Sequence, residues 1–127
     1  MVQICMTIAK GRLLLAMRGH AHTAQTGADP VCAACSILAA TLCEMLEVGA
    51  AQQAFCAPPV THLAHGDAYL ACVPVAARYE EFLHAYYMAE VGFTLLQREY
   101  PQSIHLEVYE EASRGKHSRP TRRKGKA

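Results

Sequence analysis

One helix start constrains this chain more than any other feature of its sequence. Asp29 directly precedes Pro30. This pair is typical of the beginning of a helix, because an N-cap aspartate accepts hydrogen bonds from unpaired backbone N–H groups and proline at the first helical position removes no needed donor. Apolar residues then recur at spacings of three and four, which is the period of a helix with one buried side. They are Val31, Ala34, Cys35, Leu38, Leu42, Met45 and Leu46. The pattern predicts a helix from about Pro30 to Val48, with Gly49 as its C-terminal stop.

Alternating apolar and polar residues before and after this helix indicate strands. The predicted strands are Val2–Ala9, Arg12–Arg18, Val60–Ala64, Ala68–Val75 and Ser103–Tyr109, and a second long helix is predicted over Ala76–Glu99. The order of elements is therefore ββαββαβ. It predicts an α/β (α+β) fold, a single small domain in which two long helices cover a mixed or antiparallel sheet of about five strands. We assign residues 1–111 to this domain.

The charge distribution separates the domain from the C-terminal segment. Residues 1–113 carry five Lys or Arg against eleven Asp or Glu, a net charge of −6, whereas residues 114–127 carry seven Lys or Arg and no acid, a net charge of +7. Residues 112–127 have no hydrophobic periodicity, and we expect them to form a disordered basic tail. Such a tail is able to contact a nucleic acid, or to act simply as a solvated, solubilising segment.

Six cysteines raise the question of a disulfide framework. No secretory signal is visible at the N-terminus, and no uninterrupted apolar run reaches the length of about 18 residues that a membrane span needs. We therefore expect a cytoplasmic protein with reduced thiols and no membrane association. Four of the cysteines, at positions 5, 43, 56 and 72, are expected to be small buried or half-buried residues.

Cys32 falls in the first turn of the predicted helix, and His20 directly follows the second strand. The positive end of a helix favours an anion, so Cys32 is well placed to act as a thiolate nucleophile, with backbone N–H groups around it as an oxyanion site. His20 is the better candidate for the general base because a strand end positions it, whereas His22 lies further into the loop. Asp29 would cap the helix or also orient the imidazole, and capping alone is favoured.

Two other interpretations of these residues stay open. A single cysteine on a helix is often only a small core residue, and a histidine at this distance in sequence does not prove a dyad. Cys32 and Cys35 also form a Cys-x-x-Cys pair, which together with His20 and His22 has the donor types of a zinc site, or alternatively of a redox pair. Cys35 lies on the apolar stripe and is expected to pack beside Leu38. The remaining histidines, His65 among them, belong to no recognisable cluster.

The residues around the candidate dyad resemble the ribosomal-processing cysteine protease (Prp) family. The resemblance rests on two segments separated by a short loop: Gly19-His20-Ala21, and Gly27, Asp29, Val31-Cys32-Ala33-Ala34 and Ser36. It extends over most of residues 1–110, including the second helix and Tyr100-Pro101.

The resemblance implies a homodimeric α/β cysteine endopeptidase that requires no cofactor and removes the N-terminal extension of a large-subunit ribosomal protein. His20 and Cys32 would form its catalytic dyad, with Gly19, Gly27, Asp29 and Ser36 in supporting positions. Residues 21–28 would form a mobile cover over the site, for which the two bracketing glycines are either hinges or ordinary turn residues. A non-catalytic ribosome-associated module on the same fold is the alternative.

The sequence departs from the family pattern at three places. Pro30 replaces the usual isoleucine, Cys35 replaces a small apolar residue, and the basic tail is not a general feature of the family. The first two changes concern the substrate groove more than the dyad itself.

Overall fold

The computed structural model describes residues 1–9, 11–20, 29–111 and 122–124. Its elements are β1 (Val2–Ala9), β2 (Arg12–Arg18), α1 (Pro30–Ala51), β3 (Val60–Ala64), β4 (Asp67–Cys72), a 3₁₀ turn (Ala76–Arg78), α2 (Tyr79–Glu99), β5 (Ile104–Glu110) and β6 (Arg122–Lys124). The predicted order ββαββαβ is confirmed.

The strands form one mixed sheet in the order β3-β4-β2-β1-β5-β6. β1 lies near the centre, antiparallel to β2 and parallel to β5. β4 pairs antiparallel with β2, in a register that places Asp67 opposite Arg18. This pairing brings the β3–β4 turn to the end of β2, where the candidate base lies.

β6 is an element that the sequence did not predict. It pairs antiparallel with β5, with Arg123 opposite Val108, and it adds a sixth, short strand at the sheet edge. We expected residues 112–127 to be disordered, and the structure assigns a strand to three of them. The other tail residues lie outside the described part of the chain.

One face of the sheet forms the core together with the two helices. The predicted alternation in β1 is confirmed, because Val2, Ile4, Met6 and Ile8 are buried. From α2, Tyr86 is fully buried in the core, and its hydroxyl group donates a hydrogen bond to the backbone oxygen of Leu70 at 3.0 Å. The core therefore holds the sheet and both helices as one unit.

Gly49 does not end α1, which continues to Ala51. Gly49 is buried inside the helix, and a Cβ added there would lie 2.6 Å from Cζ of Phe82 and 3.0 Å from Cε2 of Phe55. The glycine is therefore required for close packing, and the prediction of a C-terminal stop was wrong. Met45, which we placed on the buried stripe, is 38% exposed.

The second helix and the strand before it also differ at their boundaries. α2 begins at Tyr79, three residues later than predicted, because Ala76–Arg78 forms the 3₁₀ turn. β4 ends at Cys72, and Pro74 beyond it forms an isolated bridge with Phe55. A proline lacks the donor needed to continue a strand ladder.

α1 is long and apolar enough to cross a membrane by length and composition alone. Glu44 and Glu47 interrupt its apolar run. In the structure α1 packs a buried side against the core, including Val31, Leu42 and Leu46. A helix that packs in a protein core can be as long and as apolar as a membrane-spanning helix.

Candidate active site

The first turn of α1 is built around the carboxylate of Asp29. This side chain is buried, and its Oδ1 accepts hydrogen bonds from the backbone N–H of Val31 at 2.9 Å and of Cys32 at 3.1 Å. Pro30 occupies the start of the helix. The predicted N-cap is confirmed, and it fixes Cys32 in the first turn of the helix.

The same cap uses the backbone donors that we expected to form an oxyanion site. The N–H groups of Val31 and Cys32 donate to the Asp29 side chain, and that of Ala33 donates to the Asp29 backbone oxygen at 3.0 Å. These three groups are already satisfied within the protein. A substrate oxygen would have to find its hydrogen-bond donors elsewhere in the site.

His20 is held at the end of β2 by backbone contacts on both sides. The protein's amino terminus donates to the backbone oxygen of His20 at 2.7 Å, and the N–H of Gly19 donates to the oxygen of Gly66 at 2.9 Å. Gly19 has a φ of +99°, and a Cβ there would collide with the backbone oxygen of Met1. Gly19 is therefore needed for the backbone path that presents His20.

The β3–β4 turn lies against the His20 imidazole. Gly66 has a φ of +74°, and a Cβ there would lie 2.7 Å from both Cε1 and Nε2 of His20. The ring of His65 packs against the ring of His20, with centroids 4.9 Å apart and planes at 42°. His65 is a residue that the sequence analysis missed, since only the β2–β4 pairing brings it there.

His20 and Cys32 line one small cavity, of about 20 Å³. Its wall is completed by residues from β1, β2, α1 and the β3–β4 turn: Val2, Met17, Gly19, Cys35, Ser36, His65 and Gly66. The structure thus brings together the two predicted dyad residues and two of the four supporting ones, Gly19 and Ser36. Asp29 does not line the cavity and contributes through the helix cap. Gly27 and the predicted cover 21–28 lie outside the described residues.

Cys35 shares the helix with Cys32 but has a different environment. It is buried in the core, and Leu38 packs against the same core. Burial, followed by the charges of Cys32 and Asp29, raises the pKa of the Cys35 thiol to about 12. A thiol in this environment stays protonated at neutral pH, whereas zinc binding and disulfide exchange use the thiolate.

None of the six cysteines, all of which lie in the described part of the chain, is in a disulfide. Cys5 is half-buried and Cys43 and Cys72 are buried, but Cys56 is exposed, contrary to expectation. Among the described residues no group of three or more His, Cys, Asp or Glu is arranged to hold a metal ion. His22, one of the four proposed zinc donors, lies outside them.

The chain was compared with known families and with solved structures. The family model described as cysteine protease Prp matches residues 1–105. The fold is similar to that of the essential ribosomal processing protease Prp from S. aureus in complex with a covalently linked product peptide, with a TM-score of 0.64 and 19% identity over 85% of this chain and 99% of that chain. It is also similar to SMU.848 from Streptococcus mutans, with a TM-score of 0.62 and 24% identity over 87% of this chain and 96% of that chain.

A second structure of the S. aureus enzyme, in complex with a substrate peptide, matches with a TM-score of 0.60 and 18% identity over 85% of this chain and 99% of that chain. At such low identities the likeness to solved structures establishes the fold alone. No curated protein matches the chain.

Because Gly66 packs against His20, an alanine at Gly66 should displace the His20 ring, whereas an alanine at Gly11 should not. Gly66→Ala and Gly11→Ala both place a side chain at positive φ, and each should lower the free energy of unfolding by about 1–2 kcal/mol. Only Gly66→Ala should move the His20 ring, because nothing lies within 4 Å of a Cβ at Gly11. Urea unfolding measures the first effect and the His20 Cε1–H NMR signal the second. An unchanged His20 signal in Gly66→Ala would show that the turn does not restrain the ring.

Proposed function

Because this chain belongs to the cysteine protease Prp family, we propose that it is an endopeptidase in which Cys32 is the nucleophile and His20 the general base. The observation that carries the proposal is that these two side chains, from separate elements, line the same cavity. The helix start supports it further. Cys32 lies in the first turn of α1, where the partial positive charge of the helix favours a thiolate.

In the proposed reaction His20 takes the proton from the Cys32 thiol, and the resulting thiolate attacks the carbonyl carbon of the scissile peptide bond. The intermediate collapses to a thioester on Cys32, while the leaving amine takes the proton from His20. His20 then activates a water molecule, which hydrolyses the thioester and restores the thiol. His20 accepts or donates the proton in each of these reaction steps, and none of the steps uses a cofactor.

The donors that stabilise the oxyanion must differ from the first-turn amides, since Asp29 already accepts their hydrogen bonds. The hydroxyl group of Ser36, which lines the same cavity, is one donor of suitable chemistry. We assign Ser36 this supporting role and Asp29 the role of fixing the helix that carries Cys32.

The substrate we propose is a ribosomal protein precursor with an N-terminal extension. The support comes from the family and from the description of the similar S. aureus enzyme as a ribosomal processing protease. Ribosomes are assembled in a reducing compartment, so we place the enzyme in the cytoplasm, where its thiols would stay reduced.

The proposed dyad predicts that two of four alanine variants lose their cleavage activity and that the other two keep it. With a peptide that spans the extension of the host's ribosomal protein, Cys32→Ala should abolish cleavage and His20→Ala should lower kcat by about a hundredfold or more. Cys35→Ala, which removes a buried thiol, and Cys56→Ala, which removes an exposed one, should each keep most of the activity. Mass spectrometry of the two products measures the rates. Retained cleavage by Cys32→Ala would refute the mechanism, and one equivalent of zinc in the purified protein would favour the alternative metal module.

We propose that the enzyme is a homodimer formed through the outer faces of α1 and α2. Exposed apolar side chains follow one stripe on each helix, namely Ile37, Met45 and Val48 on α1 and Met88, Val91 and Leu95 on α2. The two helices touch at Gly92, where a Cβ would lie 2.8 Å from Cδ1 of Leu38. An open groove of about 460 Å³, lined in part by Ile37, Val48 and Phe82, lies on this surface. Apolar surface of this kind is characteristic of an interface.

The proposed interface predicts a change in oligomeric state. Met88→Glu combined with Val91→Glu should yield a monomer, because two buried charges would have no partners at the interface. Leu63→Glu is the matched control, since Leu63 is also an exposed apolar residue but lies on β3. Light scattering after size-exclusion chromatography gives the mass. A dimer that survives the double substitution would place the interface elsewhere.

We further propose that the basic tail, residues 114–127, contacts ribosomal RNA. Its charge of +7 contrasts with the acidic domain, and β6 attaches part of it to the sheet edge. Such a segment would raise the encounter rate with ribosomal particles.

The tail proposal is tested with Arg114, Lys116 and Arg119 all replaced by Gln, which leaves β6 intact. Co-sedimentation with ribosomes at low salt should fall, and the dependence of binding on salt should become shallower, because fewer counterions are released. Replacement of the exposed domain residues Arg12 and Arg18 by Gln is the control. Equal binding by the tail variant and the unmodified protein would leave the tail as a solubilising segment.

A further inference from the structure

The β3–β4 turn contributes a second imidazole to the cavity of the proposed dyad. His65 lines that cavity together with His20 and Cys32. Its ring lies 4.9 Å from the ring of His20, centroid to centroid, at an angle of 42°. His65 therefore touches the proposed base without belonging to the strand or the helix that carries the dyad.

The two histidines differ in how firmly the fold holds them. His20 is half-buried, and backbone hydrogen bonds anchor both it and the residue before it. His65 is exposed at the tip of a turn. This difference favours His20 as the group that exchanges protons with Cys32, and His65 as its neighbour.

The imidazole of His20 is enclosed from two directions by consecutive residues of one turn. Gly66 approaches its Cε1–Nε2 edge so closely that a Cβ would lie 2.7 Å from both atoms, and His65 lies against its ring. A ring at a strand end has two rotatable bonds, and only some of its orientations direct a nitrogen toward a thiol in the first turn of α1. Contacts that remove the other orientations raise the fraction of molecules ready to react.

We propose that His65 is a positioning residue for the reaction: its ring packs on that of His20 and holds the imidazole toward Cys32. The inference rests on the proposed protease function and deepens it. His65 itself exchanges no proton in this scheme and makes no contact with substrate that the proposal requires.

Two substitutions of His65 separate a positioning role from a merely structural one. His65→Ala removes the ring and should lower kcat about tenfold with little change in KM, because the substrate site is unchanged while the base is less well oriented. His65→Phe keeps a ring but no ring nitrogen, and should restore kcat to within about twofold of the unmodified enzyme. Both variants should unfold at the same urea concentration as the parent, since His65 is exposed.

The matched control is His62→Ala on the same hairpin. His62 is also exposed, pairs with Asp67 at 3.2 Å, and is not among the residues that line the cavity. Its replacement should leave both kcat and KM unchanged. A second readout, independent of the substrate, is the rate at which iodoacetamide alkylates Cys32. That rate should fall in His65→Ala in the same direction as in His20→Ala, by a smaller factor.

Different results remove different parts of the scheme. Parental kcat and parental alkylation of Cys32 in His65→Ala would overturn the positioning role, while inactive Cys32→Ala and His20→Ala would leave the protease intact. A larger loss in His65→Ala than in His20→Ala would overturn it as well, because His65 would then be the base. Equal losses in His65→Ala and His65→Phe would show that a ring nitrogen, and not the packed ring, is required. Full cleavage by Cys32→Ala would remove the protease function and the positioning role together.

Discussion

The carboxylate of Asp29 determines where α1 begins, and the candidate site depends on that position. It accepts two backbone hydrogen bonds in the first turn, and Pro30 disfavours a helical conformation at the residue before it, so that the helix cannot begin earlier without cost. Cys32 is thereby fixed at the positive end of a long helix whose other side forms the core. Because the backbone N–H groups of Val31 and Cys32 donate to this carboxylate, they cannot also donate hydrogen bonds to a substrate oxygen.

A second constraint acts on the other side of the cavity, where two glycines allow two chain segments to come close together. Gly19 and Gly66 both have positive φ, and they are joined by a backbone hydrogen bond of 2.9 Å. Gly19 makes room for the backbone of Met1, and Gly66 makes room for the ring of His20. The absence of side chains at Gly19 and Gly66 therefore positions His20, the proposed base, as much as the contacts that His20 makes.

Cys32 and Cys35 show how burial separates two identical groups on one helix. They are three residues apart and line the same cavity, yet Cys35 is buried in the core with a raised pKa while Cys32 is only partly buried. Desolvation favours the neutral thiol at Cys35, so the Cys-x-x-Cys spacing does not by itself make a reactive pair. This distinction depends on which side of α1 faces the sheet, and the helical period of the sequence already placed Cys35 there.

Much of the fold and the centre of the site followed from local patterns, because capping and hydrophobic periodicity act between residues that are near in sequence. The start of α1, the alternation in β1, the order of the elements and the pairing of Cys32 with His20 as candidates were all readable in this way. The pairings of β1 with β5, of β2 with β4 and of β5 with β6 were not readable, since they join segments that are not neighbours in the chain. Those pairings place His65 against His20 and attach Arg122–Lys124 to β5. The packing of α1 on α2 sets Gly49 against Phe82, where a helix stop was expected. The sequence by itself thus determined which residues are the candidates for the proposed chemistry. Only the tertiary structure decided which residues surround them, because contacts across a sheet depend on register and topology rather than on local propensity.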